Sequence, residues 1–201
     1  MELPQTFKDL SYILDAELHF KNILVVNTET TGPFLDTMFL EKRTTRIMYT
    51  RNIHDQLATK LKEINQTFDL ICLDPFHEYK ESSEDLELLV SYLSEDGVLI
   101  CHDCYPPNSK IASRDFVKGE WCGVTYVAFI EFAFLHSTMF YGIINRDYGL
   151  GIISKKEIKY VKKIINHEKL KVCIDLFKMG FDEEVYEYFT THLNEIMNVI
   201  N

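Results

Sequence analysis

Two short apolar runs constrain this chain most. Phe68-Asp69-Leu70-Ile71-Cys72-Leu73-Asp74 and Val98-Leu99-Ile100-Cys101 are nearly continuous in apolar residues, and each ends abruptly in polar ones. Runs of this length, uniformly apolar, are strands buried on both faces. Between them Leu86, Leu89, Val90 and Leu93 recur at i, i+3, i+4 and i+7, the stripe of an amphipathic helix. Ser82 or Ser83 is placed to cap it, and Asp96-Gly97 to turn the chain afterwards. Strand, helix and strand over about 35 residues make a βαβ unit, whose strands are parallel.

The flanking segments extend the pattern. Residues 6–20 have helical spacing at Phe7, Leu10, Ile13, Leu14 and Leu18. Ile23–Val26 reads as a buried strand, residues 27–33 as a loop, and 34–41 as a short helix. Arg46–Thr50 reads as a strand and 53–65 as a helix. Residues 122–137 form an apolar helix after a loop at 104–120. Met139–Asn145 and Tyr148–Ser154 read as an antiparallel pair near a sheet edge. The remainder is helical, in pieces marked by Ile158, Val161 and Ile165, by Leu170, Ile174 and Phe177, and by Val185, Phe189, His192, Ile196 and Val199. Gly180 stops the middle piece and Asp182 caps the last. The expected fold is α/β: a Rossmann-like, mostly parallel sheet with helices on both faces, an antiparallel edge pair and a helical C-terminal tail. Residues 1–154 form the domain, and 155–201 a helical extension packed on it.

Charge limits the partners. The chain of 201 residues carries 21 Lys and Arg against 31 Asp and Glu, a net charge of −10. Such a surface repels a phosphate backbone, which argues against nucleic-acid and anionic-membrane partners. No apolar run reaches the roughly 18–20 residues of a membrane span. The first residues lack the basic and apolar regions of a secretory signal. Five cysteines are too few and too scattered for a disulfide framework, and a cytoplasmic location follows. Cys101 and Cys104 form a C-x-x-C, but Tyr105-Pro106-Pro107 follows where a redox motif needs a helix, and no second ligand pair suggests zinc. The tail helices can pack on the sheet or form a homo-oligomer.

In open parallel sheets ligands bind beyond the carboxyl ends of the strands. One apolar run ends at Asp74, followed by His77, Glu78 and Tyr79. The other ends at His102 and Asp103, followed by Tyr105. On neighbouring strands these groups converge. Two carboxylates and two imidazoles can bind a divalent cation, or serve as a base with its orienting partner. Asp74 and Asp103 can equally do no more than cap local loops.

The stretch FDLICLDPFHEYKESSEDLELLVSYLSEDGVLICHDCYPPN resembles the core of class I S-adenosylmethionine-dependent methyltransferases. It is most similar to a branch linked to bacterial surface glycans, which reads strand, Asp-Gly-x-His-x-Tyr, helix, Gly-Gly, strand, His-Asp. The matching positions are Asp74, His77, Tyr79, Gly97, His102 and Asp103. EWCGVTYVAFIEF (120–132) resembles the Trp-x-Gly-Asp-Val-x-Lys-Ala start of a later helix, and RDYGLGIIS (146–154) a final Asp-x-Gly-x-Gly-Ile-Ile strand. The likeness implies O-methyl transfer to a sugar or other small polar acceptor, within glycan biosynthesis. It implies His102, Asp103 and His77 as catalytic residues, and Asp74 and Asp103 as ligands of a cation such as Mg²⁺. Glu29, Gly32 and Asp74 would bind S-adenosylmethionine, and Tyr79, Tyr105 and Trp121 the acceptor. Trp121 reads equally well as a core anchor at the start of a helix.

The chain also departs from that pattern. The family's glycine-rich cofactor loop is Asn27-Thr28-Glu29-Thr30-Thr31-Gly32-Pro33 here, with one glycine and a proline. No acidic residue stands at Tyr49-Thr50-Arg51-Asn52, where the ribose is normally held. The distance from Val26 to Asp74 is short by about one βα unit. Val124 and Val127 replace the expected Asp and Lys. A second reading therefore stays open: a non-catalytic relative that has lost the cofactor and serves as a glycan-binding or partner subunit.

Overall fold

A computed structural model describes residues 3–28, 38–39, 43–50 and 54–201. Its elements are α1 (Phe7–Leu18), β1 (Ile23–Thr28), β2 (Thr44–Tyr49), α2 (His54–Ile64), β3 (Phe68–Asp74), α3 (Tyr79–Ser91), β4 (Leu93–Cys101), α4 (Thr125–Leu135), β5 (Phe140–Ile144), β6 (Leu150–Ser154), α5 (His167–Lys178), α6 (Asp182–Ile196) and β7 (Asn198–Ile200). The strands form one sheet in the order β2-β1-β3-β4-β6-β5-β7. All run parallel except β6, which is antiparallel to both β4 and β5.

Alternation along each strand feeds two cores. Leu24 and Val26 of β1, Ile71 and Leu73 of β3, and Leu99 and Cys101 of β4 face the larger one, with α2 to α6. Val25, Leu70, Cys72, Val98 and Ile100 face the smaller one, which α1 covers with Phe7, Leu10 and Leu14. Both faces being buried explains why these strands read as unbroken apolar runs. The α1 start is fixed by a capping box, in which the Thr6 side chain accepts from the Asp9 N–H and Asp9 accepts from the Thr6 N–H. α4 is apolar almost all round because it lies between the sheet side and its neighbours α3 and α5.

The mostly parallel α/β architecture is as expected, with five local corrections. Helix α3 begins at Tyr79 with Glu78 as N-cap, not at Ser82 or Ser83. Asp96 and Gly97 lie within β4, where the register against β3 shifts, and do not form a turn. Residues 158–165 are not helical; Tyr141 and Lys162 make an isolated bridge there, so this piece pairs with the edge of β5. The tail closes with β7, which adds a parallel strand beside β5 and takes Val199 out of the last helix. Phe181, not Asp182, is the N-cap of α6. The expected helix at 34–41 falls mostly outside the described residues.

Candidate active site

Because β3 and β4 are adjacent and parallel, their C-terminal ends bring Asp74 and His102-Asp103 to one rim. The His102 N–H continues the ladder by donating to the Leu73 carbonyl at 3.0 Å. His77 comes from the β3–α3 loop. Its carbonyl accepts from the Val124 N–H at 2.9 Å, which ties that loop to the start of α4. β6 contributes from the same rim: since it runs antiparallel, its N-terminal end lies beside the C-terminal end of β4, and the β5–β6 turn carries Asp147 and Tyr148 into the site.

The side chains form a tight cluster. His77 Nε2 lies 2.9 Å from Asp103 Oδ2 and 3.5 Å from Asp74 Oδ1. His102 Nδ1 lies 3.2 Å from Asp103 Oδ2 and 3.7 Å from Asp74 Oδ1. On its other side His102 Nε2 faces Asp147 Oδ2 at 3.6 Å, and Asp147 accepts from the Phe7 N–H at 2.8 Å. Asp74 Oδ1 and His77 Nε2 are buried without a well-formed hydrogen bond. A hollow of about 200 Å³ opens onto the cluster, lined by Asp74, His77, His102, Asp103, Glu120, Trp121, Cys122 and Tyr148.

The electrostatics follow from burial. Desolvation alone would lower the His77 pKa, but the Asp103 and Asp74 carboxylates outweigh it and hold the imidazole at about 9. His102 is likewise raised against its burial, chiefly by Asp103. Asp103, which burial would raise, is lowered by the two imidazoles. Asp147 is lowered by His102 and the Phe7 N–H, again against its burial. Tyr148 is pushed up to about 12, first by its hydrogen bond with Glu120. At neutral pH the cluster is thus a set of buried imidazolium–carboxylate pairs.

The backbone is strained at this place. His77, Asp103, Asp147 and Tyr148 all have positive φ, at 66°, 61°, 50° and 60°. Non-glycine residues rarely adopt this region, and strained residues concentrate where function fixes the geometry. Gly123, also at positive φ, permits the close approach of the α4 start: a Cβ there would sit 2.0 Å from the His77 carbonyl oxygen.

The structure brings Asp74, His77, His102, Asp103 and Trp121 to one hollow. Tyr79 is not among them: its hydroxyl donates to Glu131 of α4 and its ring packs on Phe177 of α5 at 4.8 Å. The Tyr105 ring packs edge-on against Phe189 of α6, and only its N–H, donated to the Tyr148 carbonyl, serves the site. Trp121 donates its indole N–H to the Ser113 carbonyl at 2.8 Å and lies edge-on to His77, with ring centres 5.5 Å apart. Glu29 and Gly32 lie outside the described residues. Sequence reasoning missed Asp147, Tyr148, Glu120 and Cys122. The signal for the first two was the Arg146-Asp147-Tyr148-Gly149 turn, once β6 is known to enter the sheet from the same rim.

Comparison with known proteins places the fold. A family profile described as a methyltransferase domain matches residues 11–104. An O-methyltransferase from Bacillus cereus, solved with S-adenosylhomocysteine, superposes with a TM-score of 0.50 over 76% of this chain and 80% of its own, at 12% identity. A Staphylococcus aureus protein assigned as a caffeoyl-CoA O-methyltransferase does so with a TM-score of 0.50 over 74% and 82%, at 16% identity. This is the methyltransferase fold. No curated protein matches the sequence significantly. In the methyltransferase fold of this chain, the matched segment ends with the β4 tip, so it carries Asp74, His77, His102 and Asp103 but not the Asp147 turn.

Proposed function

We propose that the chain is an S-adenosylmethionine-dependent methyltransferase that transfers a methyl group to a hydroxyl of a sugar or similar small polar acceptor, in glycan biosynthesis. The observation that carries the proposal is the buried Asp74–His77–His102–Asp103 cluster at the carboxyl rim of the sheet, open to a hollow. The residues fit the cofactor at that rim. Asn27 and Thr28 end β1, Asn27 lies opposite Asp74 in register, and the Asp74 Oδ1 is a buried acceptor with no hydrogen bond. S-adenosylmethionine, when bound, supplies an electrophilic methyl group on a sulfonium.

What the protein must add is placement and charge. An acceptor hydroxyl entering the hollow can donate its hydrogen to a carboxylate, Asp74 Oδ1 or Asp103. The adjacent imidazolium groups of His77 and His102 face the oxygen that gains negative charge, and their positive charge favours that change in a buried setting. Strained, fixed backbone at His77 and Asp103 holds these groups before the acceptor arrives, which is the positional part of the catalysis. The aromatic face of Trp121 beside the polar groups of Glu120 and Tyr148 suits a sugar ring, apolar on its faces and hydroxylated at its edges. No lysine or arginine is among the described residues lining the hollow, so a phosphorylated acceptor would lack a counter-charge.

Isothermal titration calorimetry with S-adenosylmethionine and S-adenosylhomocysteine tests the reading. Binding in the micromolar range is expected; no heat at millimolar ligand would sink it.

A further inference from the structure

We infer that the acceptor is a glycan of at least two linked sugar units, and that Phe116 is a specificity-determining residue that receives the unit next to the one in the hollow. The inference rests on the sugar reading of the hollow given above and deepens it.

Size is the first support. The hollow, about 200 Å³, is smaller than the roughly 300–1,000 Å³ of pockets that enclose a whole drug-sized ligand. It can enclose the reacting ring of an acceptor. Anything joined to that ring must lie across the mouth, where the surface of the protein decides what is accepted.

That surface is built from rings. Trp121, in the wall of the hollow, lies edge-on to His77. On its outer side it meets Phe116, with ring centres 5.3 Å apart and planes at 81°. Phe116 is 73% exposed, more than any other large apolar side chain among the described residues. A lone phenylalanine on a surface needs no explanation, but this one is joined to the wall of the site and held there. The Ile111 carbonyl accepts from the N–H groups of Cys122 and Gly123 at 2.9 and 3.0 Å, which closes the base of the loop. Arg114 fastens one side to Asp182 and the Phe177 carbonyl, and the Trp121 indole bonds across the loop to Ser113. Gly119, at a φ of 105° with open space around it, turns the chain so that Phe116 and Trp121 meet. A firmly anchored loop thus holds an apolar ring in water at the entrance. A ligand that covers the ring removes that unfavourable exposure.

The surroundings select a sugar over a hydrocarbon tail. A pyranose presents C–H groups on its faces and hydroxyls around its edge. Phe116 supplies the apolar contact, and Asp115 and Lys118, exposed on either side of it in the loop, supply an acceptor and a donor for hydroxyls. Trp121 with Glu120 and Tyr148 repeats the combination inside the hollow. Two such surfaces in succession match two linked rings.

The test places the full chain, carrying a fluorophore on its N-terminal amine, on a printed array of matched pairs: a monosaccharide, and a disaccharide that extends it by one hexose on the same linker. In at least one pair the disaccharide should retain the chain at about tenfold lower protein concentration than its monosaccharide. Phe116→Ala should abolish that advantage with an unchanged Tm, because the ring is exposed, and Phe116→Tyr should preserve it. In solution, the soluble disaccharide should shift the emission of Trp121, the only tryptophan, to the blue, and its monosaccharide should do so less at the same concentration. Butyl glycosides of the same monosaccharides stand for an apolar tail and should compete no better than the monosaccharides. An array that retains nothing, equal retention within every pair, an advantage that survives Phe116→Ala, an unmoved Trp121 emission, or butyl glycosides that compete as well as the disaccharide would each overturn the inference. Calorimetric heat with S-adenosylmethionine beside an empty array removes the two-unit acceptor alone. A Phe116-dependent disaccharide preference without that heat removes the methyltransferase reading alone.

Discussion

At the scale of single residues, Asp103 carries the most. It holds two imidazoles, is 4% exposed, and adopts positive φ. Asparagine tolerates that backbone, so Asp103→Asn removes the charge and little else. Two buried imidazoles then lose their partner, and breaking a buried pair costs about 3 kcal/mol. The proposed methyl transfer should vanish and the urea midpoint should fall, with near-native circular dichroism. The same pairs predict how stability varies with pH. His77 is raised from 6.5 to about 9, so its contribution is complete below about pH 6.5 and lost as pH climbs through 9. Asp103 is lowered, so its contribution is present above the usual carboxylate range and lost on acidification below it. Urea midpoints across pH should therefore plateau in the mildly acidic range and decline toward pH 9. The alkaline decline should flatten in His77→Gln; an equal decline in that variant would contradict the assignment.

At the scale of elements, the wall of the hollow depends on the tail helices. The Arg114 guanidinium donates to Asp182 of α6 at 2.6 Å, donates to the Phe177 carbonyl at the α5 end, and lies over the Phe177 ring. The neighbouring Ser113 carbonyl receives the Trp121 indole, and Trp121 abuts His77. Arg114→Ala should cost less than about 1 kcal/mol, because the ion pair is substantially exposed. It should nevertheless loosen Trp121, the only tryptophan, giving a red-shifted emission more accessible to acrylamide. Gly123→Ala acts nearer the site. Its Cβ would strike the His77 carbonyl, and the Val124 N–H bond to that carbonyl should break, with a drop in Tm and weaker ligand binding. Element geometry also explains what the sequence made legible. Asp74, His102 and Asp103 were readable because apolar runs mark strand ends, and parallel strands share a rim. Tyr79 was misplaced because a helix start decides where its first side chains point: a helix beginning at Tyr79 sends that ring toward α4 and α5, whereas one beginning past Ser82 leaves it in the loop. The Asp96-Gly97 pair looks like a turn to local rules, but pairing with β3 absorbs it into a strand. Residues 158–165 carry helical spacing, yet Lys162 exchanges backbone hydrogen bonds with Tyr141, the β5 residue just before the stretch that β7 pairs with. Asp147 stayed hidden because the direction of β6 is a tertiary fact.

At the scale of the whole molecule, the tail belongs to the sheet it was expected merely to cover. β7 pairs with β5, and α5 packs on α4, whose apolar surface would otherwise face water. A chain ending at Ser154 should be insoluble or lack a cooperative thermal transition; a soluble truncation with a sharp transition would show the unit to be smaller. The net charge of −10, and the lack of lysine or arginine among the described residues lining the hollow, predict no retardation of duplex DNA in a gel at low salt. Among the described residues no helix is long and apolar enough to cross a membrane.

The reversal of β6 has one more implication. A hairpin of a few residues, outside the parallel frame, delivers the carboxylate behind His102. Insertions or substitutions there could retune the reactivity of the centre while leaving strand packing untouched, which makes this turn the natural place for homologues with the same scaffold to diverge in chemistry.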